Sequence, residues 1–123
     1  MTDNRFRFRA WNKIKKILHY EAEKGLFDLP FHILCKSDEF IIEQCTGLKD
    51  RNGKLIYEGD ICTYWVEGDF NREVLVKIGF DKKSCYWYIN DEWRYKSSFY
   101  CSNIATLKII GNIHENPELL EVK

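Results

Sequence analysis

The sequence has no excess of charge of either sign and no long hydrophobic run. Its 19 basic and 19 acidic side chains balance, whereas a disordered chain usually combines low hydrophobicity with a high net charge. The balance also argues against a strongly basic nucleic-acid-binding protein, although it permits a local basic surface. No segment approaches the roughly 20 consecutive apolar residues of a membrane span, and the N-terminal residues lack the apolar core of a signal peptide. We therefore expect a cytoplasmic protein with no membrane partner.

Closely spaced metal ligands and catalytic motifs are also missing. The five cysteines form no CxxC pair, and they lie at Cys35, Cys45, Cys62, Cys85 and Cys101. The three histidines, His19, His32 and His114, are equally scattered, so we expect no zinc site, no other metal and no cofactor. The motifs GxSxG, GxxxxGK[ST], GxGxxG and HExxH do not occur. The sequence therefore predicts a protein that is not an enzyme and whose cysteines are reduced.

The amino-acid composition and the spacing of turn residues are typical of a mainly β protein. Aromatic residues make up 15% of the chain, and aromatic side chains favour the half-buried surface of a pleated sheet. Turn residues recur about every ten positions, which is typical of a barrel or sandwich. The runs between them predict strands at residues 31–35, 39–45, 54–57, 61–66, 73–80, 84–89, 93–95 and 106–113. We expect a tight helical turn at residues 46–50 and an irregular segment at residues 96–104.

The N-terminal residues alternate between two kinds of side chain. Phe6, Phe8 and Ala10 fall on one face of an extended chain, and arginines and Trp11 fall on the other. This period of two predicts a strand with one face buried. Residues 12–24 have two interpretations, because their apolar residues fit an amphipathic helix but also a turn followed by a returning strand.

The polar face of this strand and the residues after it form a basic strip of candidate contact residues: Arg5, Arg7, Arg9, Trp11, Lys13, Lys15 and Lys16. Guanidinium groups that face outward beside an indole ring could contact phosphates while the ring stacks on a base. The same strip could contact a partner protein. The alternative is a solvated strand face whose charges prevent pairing with other chains.

Aromatic residues in the second half of the chain form a further group of candidates: Tyr64, Trp65, Trp87 and Trp93. Successive residues of a strand point to opposite faces, so a protein of this size cannot bury all of its aromatic rings equally. We expect some of these rings to be exposed or to lie in an oligomer interface, where aromatic residues are enriched. The alternative is that they form the core of a barrel.

Three segments of the chain resemble the YopX family of phage and prophage proteins: residues 8–11 (FRAW), 46–61 (TGLKDRNGKLIYEGDI) and 110–120 (IGNIHENPELL). The resemblance implies a single mainly β domain over residues 1–123, with a small SH3-like barrel element, an N-terminal β-hairpin and a short C-terminal helix. It favours the hairpin for residues 12–24, and it implies the cytoplasm of a bacterial host. No activity, cofactor or catalytic residue comes with it.

The motif residues of these segments are expected to have structural roles: Gly47, Asn52, Gly53, Gly59, Asp60, Gly111, Asn112 and Pro117. Glycine and asparagine permit sharp turns, and Gly111 suits a β-bulge. Pro117 suits the first position of a helix, in which Leu119 and Leu120 are expected to close the core.

These observations predict a non-enzymatic module that binds an unknown protein partner or another copy of itself. The alternative is a small nucleic-acid-binding accessory protein that uses the basic N-terminal strand. A hydrolase or nuclease would need carboxylates gathered in one cleft, and the sequence does not indicate such a cleft.

Overall fold

The computed structural model describes residues 4–66, 72–83, 86–91, 96–98 and 107–120. These residues form mainly β-structure, which confirms the predicted fold class. The strands are β1 (Phe8–Asn12), β2 (Ile17–Tyr20), β3 (Phe40–Lys49), β4 (Leu55–Tyr57), β5 (Asp60–Val66), β6 (Arg72–Asp81), β7 (Tyr86–Asp91), β8 (Lys96–Ser98) and β9 (Lys108–Asn112). The helices are α1 (Phe31–Leu34) and the 3-10 helices Asn4–Phe6, Ala22–Lys24 and Pro117–Leu120. Within these ranges, no helix is long and apolar enough to cross a membrane.

The N-terminal sheet has the antiparallel order β2-β1-β3-β4 and begins with the predicted hairpin. Asn12 ends β1, and its Oδ1 accepts hydrogen bonds from the backbone N–H groups of Ile14 (3.0 Å) and Lys15 (2.9 Å). These bonds close a turn after which the chain returns as β2, so the helical interpretation of residues 12–24 is wrong. One face of the sheet packs against α1 and Ala22–Lys24 around a core of Ala10, Ala22, Leu34 and Phe40.

The C-terminal sheet has the order β8-β7-β6-β5-β9, and the fold includes a half-barrel where the family resemblance implied a small barrel element. Its core consists of Ile56, Cys62, Val74, Val76, Ile78, Trp87, Ile89 and Leu107. Between β5 and β9 the register shifts, because Ile61 lies opposite Gly111 whereas Cys62 lies opposite Ile109. Ile110 is the additional residue of a β-bulge, which confirms the bulge predicted at Gly111.

Two predictions of local structure are wrong. Residues 31–35 contain α1 instead of a strand, since Pro30 supplies an extended residue before the helix and its carbonyl accepts the N–H of Leu34. Residues 46–50 contain the end of β3 instead of a helical turn. Thr46 Oγ1 donates a hydrogen bond to the carbonyl of Ile56 on β4 (2.9 Å), which holds this segment in the sheet.

The C-terminal helix is confirmed at Pro117–Leu120, where it takes the 3-10 form. It buries none of its residues, so the expectation that Leu119 and Leu120 close the core is wrong. Strand β8 lies in the segment that was expected to be irregular. The strand predicted at residues 93–95 lies outside the described residues.

Candidate functional site

The basic strip does not face solvent along its whole length. Arg9 is 1% exposed and Trp11 is 6% exposed, so the prediction that both side chains point outward is wrong. The reason is that β1 is an inner strand of its sheet and both of its faces are covered. Phe8 and Ala10 contact the core on one face, while Arg9 lies against the ring of Tyr57 and Trp11 against His114 on the other.

Arg9 is the centre of a buried group of charges. Its Nε donates to Glu43 Oε1 (2.8 Å), its Nη1 to Asp60 Oδ1 (2.7 Å) and its Nη2 to the carbonyl of Glu58 (3.0 Å). The guanidinium carbon also lies 5.0 Å from the centroid of the Tyr57 ring. The guanidinium group thus uses all three of its nitrogens within the protein, which is the condition for burying a charge.

His114 extends this group toward the C-terminal end of the chain. Its Nε2 lies 2.9 Å from Glu43 Oε2, and its ring stacks on Trp11 with a centroid distance of 5.0 Å and an interplanar angle of 12°. We call Arg9, Glu43, Asp60 and His114 the inter-sheet cluster. Arg9 and Glu43 belong to β1 and β3 of the N-terminal sheet, whereas Asp60 begins β5 and His114 follows β9 of the C-terminal sheet.

The electrostatics of the inter-sheet cluster follow from burial and pairing. Burial opposes the charge of Arg9, but the carboxylates of Asp60 and Glu43 outweigh it and raise the pKa of the guanidinium group. Burial raises the pKa of Asp60, although Arg9 and the backbone N–H of Tyr57 act in the opposite direction. Both carboxylates already accept hydrogen bonds on both oxygens. The cluster therefore connects the two sheets and has no carboxylate oxygen without a partner.

The motif residues near the cluster have different surroundings. Gly59 has a φ of +89°, and a Cβ atom at this position would collide with the carboxylate of Glu43. Gly47, with the same φ, lies against the side chain of Arg5, and Gly53 has a φ of +83° with open space around it. Pro117 begins the C-terminal 3-10 helix.

Asp50 and Asn112 organise the two turns that flank the cluster. Asp50 accepts the backbone N–H groups of Asn52, Lys54 and Ile109 at 2.9, 2.9 and 3.0 Å. Burial opposes its ionisation, but these three donors outweigh burial and hold the pKa of Asp50 below its usual value. Asn112 Oδ1 accepts the N–H groups of His114 (3.0 Å) and Glu115 (2.9 Å), so it holds His114 in place.

The cysteines in the described residues are free thiols. Cys45 and Cys62 are buried, and burial raises the pKa of both thiols. A thiol with a raised pKa is a poor nucleophile at neutral pH. Among the described residues, no group of three His, Cys, Asp or Glu side chains is placed to hold a metal ion.

The remaining basic candidates lie at the surface of the N-terminal sheet. Lys13, Lys15 and Lys16 are exposed in the turn between β1 and β2, and Arg5 is exposed before β1. Arg7 is half-buried, and its Nε donates to Asn4 Oδ1 (3.0 Å).

Sequence reasoning missed an apolar residue beside these lysines. Phe27 is 68% exposed and forms the tip of a two-residue turn with Asp28, between Leu26 and Leu29, whose backbones exchange two hydrogen bonds. Both tip residues have positive φ, +49° for Phe27 and +66° for Asp28, and this conformation normally favours glycine or asparagine. The segment GLFDLP signals a turn, but nothing in it indicates that the phenylalanine is exposed.

The hairpin that Phe27 contacts carries other exposed apolar residues. Ile14 at the hairpin turn is 73% exposed, and Ile17 at the start of β2 is 47% exposed. Phe27 contacts His19 of β2 edge-on, with a centroid distance of 5.4 Å, and Lys15 Nζ lies 5.8 Å from the Phe27 centroid. We define the hairpin surface by six residues: Lys13, Ile14, Lys15, Lys16, Ile17 and Phe27.

The aromatic candidates of the C-terminal sheet lie against its core where they are described. Trp87 is 9% exposed and packs on Phe80 with a centroid distance of 5.0 Å, and Tyr64 is half-buried against the same core. Among the described residues, Trp87 and Tyr64 therefore contribute to the barrel core, which is the alternative to a role in an oligomer interface. The side chains of Trp65 and Trp93 lie outside the described part of the chain.

Comparisons with known proteins agree on the fold. A family model described as YopX protein matches residues 7–121. The crystal structure of protein EF1440 from Enterococcus faecalis is 25% identical, with a TM-score of 0.63 over 94% of this chain and 97% of that chain. The crystal structure of YopX from Bacillus subtilis is 17% identical, with a TM-score of 0.61 over 97% of this chain and 98% of that chain. A search of curated proteins gives no match.

Proposed function

The chain belongs to the YopX family, and for this member we propose a non-enzymatic protein-interaction function in the cytoplasm of a bacterial host. The phage or prophage origin implied by the sequence resemblance is part of the same proposal. The contact surface is the hairpin surface, and the partner is a protein. The family match brings no activity with it, so the proposal is supported by the surface itself.

The exposure of Phe27 is the observation that supports this proposal most directly. A phenylalanine with a φ of +49° adopts a backbone conformation that costs roughly 1–3 kcal/mol, and here 68% of its surface stays in water. Strained residues of this kind concentrate at sites of function. Burying such a side chain in a complex would contribute about 1.5–3 kcal/mol.

The residues around Phe27 indicate the character of the partner. Ile14 and Ile17 add exposed apolar surface on the hairpin, and three exposed lysines lie in its turn. A patch of this kind fits a partner that combines apolar side chains with acidic ones.

Site-specific photo-crosslinking tests the proposal. Phe27 is replaced by the photoreactive amino acid p-benzoylphenylalanine, and the protein is irradiated in extract of a bacterial host. The matched control carries the same amino acid at Tyr86, a 37% exposed aromatic position on the C-terminal sheet. We expect a protein adduct from position 27 and little from position 86. Equal labelling at both positions, or none at either, would contradict the proposal.

A nucleic-acid-binding accessory protein is the second candidate. Its supporting observation is the exposure of Lys13, Lys15 and Lys16 beside an exposed aromatic ring, since lysines contact phosphates and aromatic rings stack on bases. Binding of mixed oligonucleotides should then weaken steeply with salt, and the triple reversal K13E/K15E/K16E should abolish it. Oligonucleotide binding that is insensitive to salt would exclude this candidate.

A further inference from the structure

The outer edge of β2 carries backbone groups that face away from the sheet. Lys13 N–H bonds the carbonyl of Glu39, and Cys45 N–H bonds the carbonyl of Arg7. In an antiparallel sheet the backbone hydrogen bonds of successive residues point alternately to the two neighbouring strands. The backbone groups of residues 7, 9, 11 and 13 therefore bond to β3, and those of Ala10 and Asn12 bond to β2. On β2, His19 lies opposite Ala10 and Ile17 lies opposite Asn12, so the backbone groups of His19 and Ile17 point toward β1.

Leu18 and Tyr20 therefore direct their backbone N–H and carbonyl groups toward the open edge. In the described residues, no strand pairs with this edge and no backbone hydrogen bond outside the β1–β2 ladder involves either residue. An open edge of this kind is a template for another strand.

The side chains at the two ends of β2 have opposite charges. Lys15 and Lys16 precede the strand, and Glu21 follows it with 52% of its side chain exposed. If a second β2 pairs in the antiparallel direction, the basic end of each strand lies beside the acidic end of the other. The charges along this edge are therefore complementary to those of the same edge in a second copy.

We propose that β2 pairs with β2 of a second copy of this chain about a two-fold axis at His19. This inference rests on the proposed interaction function and names its partner. A two-fold axis perpendicular to the sheet keeps the same face of both sheets on the same side. Leu18 of each copy then exchanges backbone hydrogen bonds with Tyr20 of the other, and the two N-terminal sheets become one continuous sheet.

The same axis brings His19 of the two copies together and leaves their hairpin turns at opposite ends of the paired strands. His19 of each copy lies opposite His19 of the other, at the short distance of a non-hydrogen-bonded pair. Phe27 covers His19 within each copy, so the two Phe27 rings lie on one face, on either side of the axis. His19 Nε2 is a buried nitrogen without a hydrogen-bond partner in the described residues, and the second His19 faces the same region.

Light scattering over a range of protein concentrations tests this pairing. The wild-type chain should show twice its monomer mass, and the mass should persist at high salt because backbone bonds and apolar contacts hold the pair. Leu18→Pro removes an N–H that points to the open edge, where proline is tolerated, so it should yield a folded monomer.

Charge reversal supplies a second set of variants. Glu21→Lys places like charges together twice per dimer, and Lys16→Glu does the same, so each should weaken association roughly tenfold. The double variant K16E/E21K restores opposite charges and should restore association. Loss of the contacts that Glu21 makes within its own chain, with Arg7 and Lys24, would not be reversed by Lys16→Glu.

A wild-type monomer at every concentration overturns the inference, and so does a dimer that neither Leu18→Pro nor Glu21→Lys weakens. A monomer whose position 27 still crosslinks to another protein leaves the proposed function in place and removes only the self-pairing. A monomer without crosslinks removes both. A mass that increases only with oligonucleotides at low salt supports the nucleic-acid candidate and overturns the self-pairing.

Discussion

Two regions of the molecule reverse the usual distribution of polar and apolar side chains. The inter-sheet cluster buries an arginine with two carboxylates, whereas the hairpin surface exposes a phenylalanine and two isoleucines. The charges of the cluster are paired within the chain, so the fold itself accounts for them. No contact among the described residues accounts for the exposure of the hairpin surface, and a partner would. The comparison separates residues that serve the fold from residues that remain for binding.

The largest effect is expected for Arg9→Met in the inter-sheet cluster. The substitution leaves Glu43 and Asp60 buried without their cation, and breaking a buried pair in this way typically costs about 3–5 kcal/mol. Urea unfolding measures the loss, with Lys13→Met as a control in which the change in stability should stay within about 0.5 kcal/mol. Equal stabilities for the two variants would show that the cluster does not hold the sheets together.

Gly59→Ala should have the next largest effect, because the new Cβ meets the Glu43 carboxylate and the φ of +89° disfavours alanine. Gly53→Ala is a matched control, with a φ of +83° and open space. We expect a loss of about 1 kcal/mol for Gly53→Ala and roughly 2 kcal/mol more for Gly59→Ala, both measured by thermal or urea unfolding. Similar losses would remove the contact with Glu43 as a cause.

Asp50 tests how far backbone N–H groups stabilise a buried carboxylate. Its folded pKa is lowered, so its contribution is complete above the unfolded pKa of about 3.9 and is lost as the pH falls through the lower folded pKa. Asp50→Asn should cost about 1–3 kcal/mol at neutral pH, because its amide N–H group would face a backbone donor. Unfolding followed from pH 7 to pH 2 should show less acid destabilisation in the variant, and an unchanged pH profile would contradict this role.

The smallest effect on stability is expected for Phe27→Gly on the hairpin surface. Glycine adopts a φ of +49° without strain, so the unfolding free energy of the monomer should change by less than about 1 kcal/mol despite the loss of a large apolar side chain. Unfolding at protein concentrations too low for association measures this value. A decrease of about 3 kcal/mol in the unfolding free energy, which is typical of a core phenylalanine, would show that Phe27 stabilises the fold and is not reserved for binding.

The bulge could be predicted from the local signal of Gly111, whereas the pattern of residues 12–24 fits a helix as well as a hairpin and only the family resemblance favours the hairpin. Asn12 makes its turn with its own neighbours, and Gly111 permits a bulge wherever it pairs. The faces of β1 could not be predicted, since alternation in residues 5–11 is the same whether the second face meets water or another sheet. Residues 31–35 were assigned to a strand because a short apolar run fits both a strand and one turn of helix.

The candidate site was predicted only in part. The lysines of the hairpin turn were found from their charge, but Arg9 and Trp11 were placed with them although tertiary contacts bury both. Phe27 was missed because its exposure depends on a backbone conformation that the sequence of the turn does not specify.

The inter-sheet cluster also sets how the chain loses its structure. It joins positions separated by 34, 51 and 71 residues, so its bonds close long loops, and contacts between distant residues form slowly because loop closure costs entropy. Interactions that form after the transition state mainly slow unfolding. We therefore expect the cluster mainly to slow unfolding, because opening it exposes the charges of Arg9, Glu43 and Asp60.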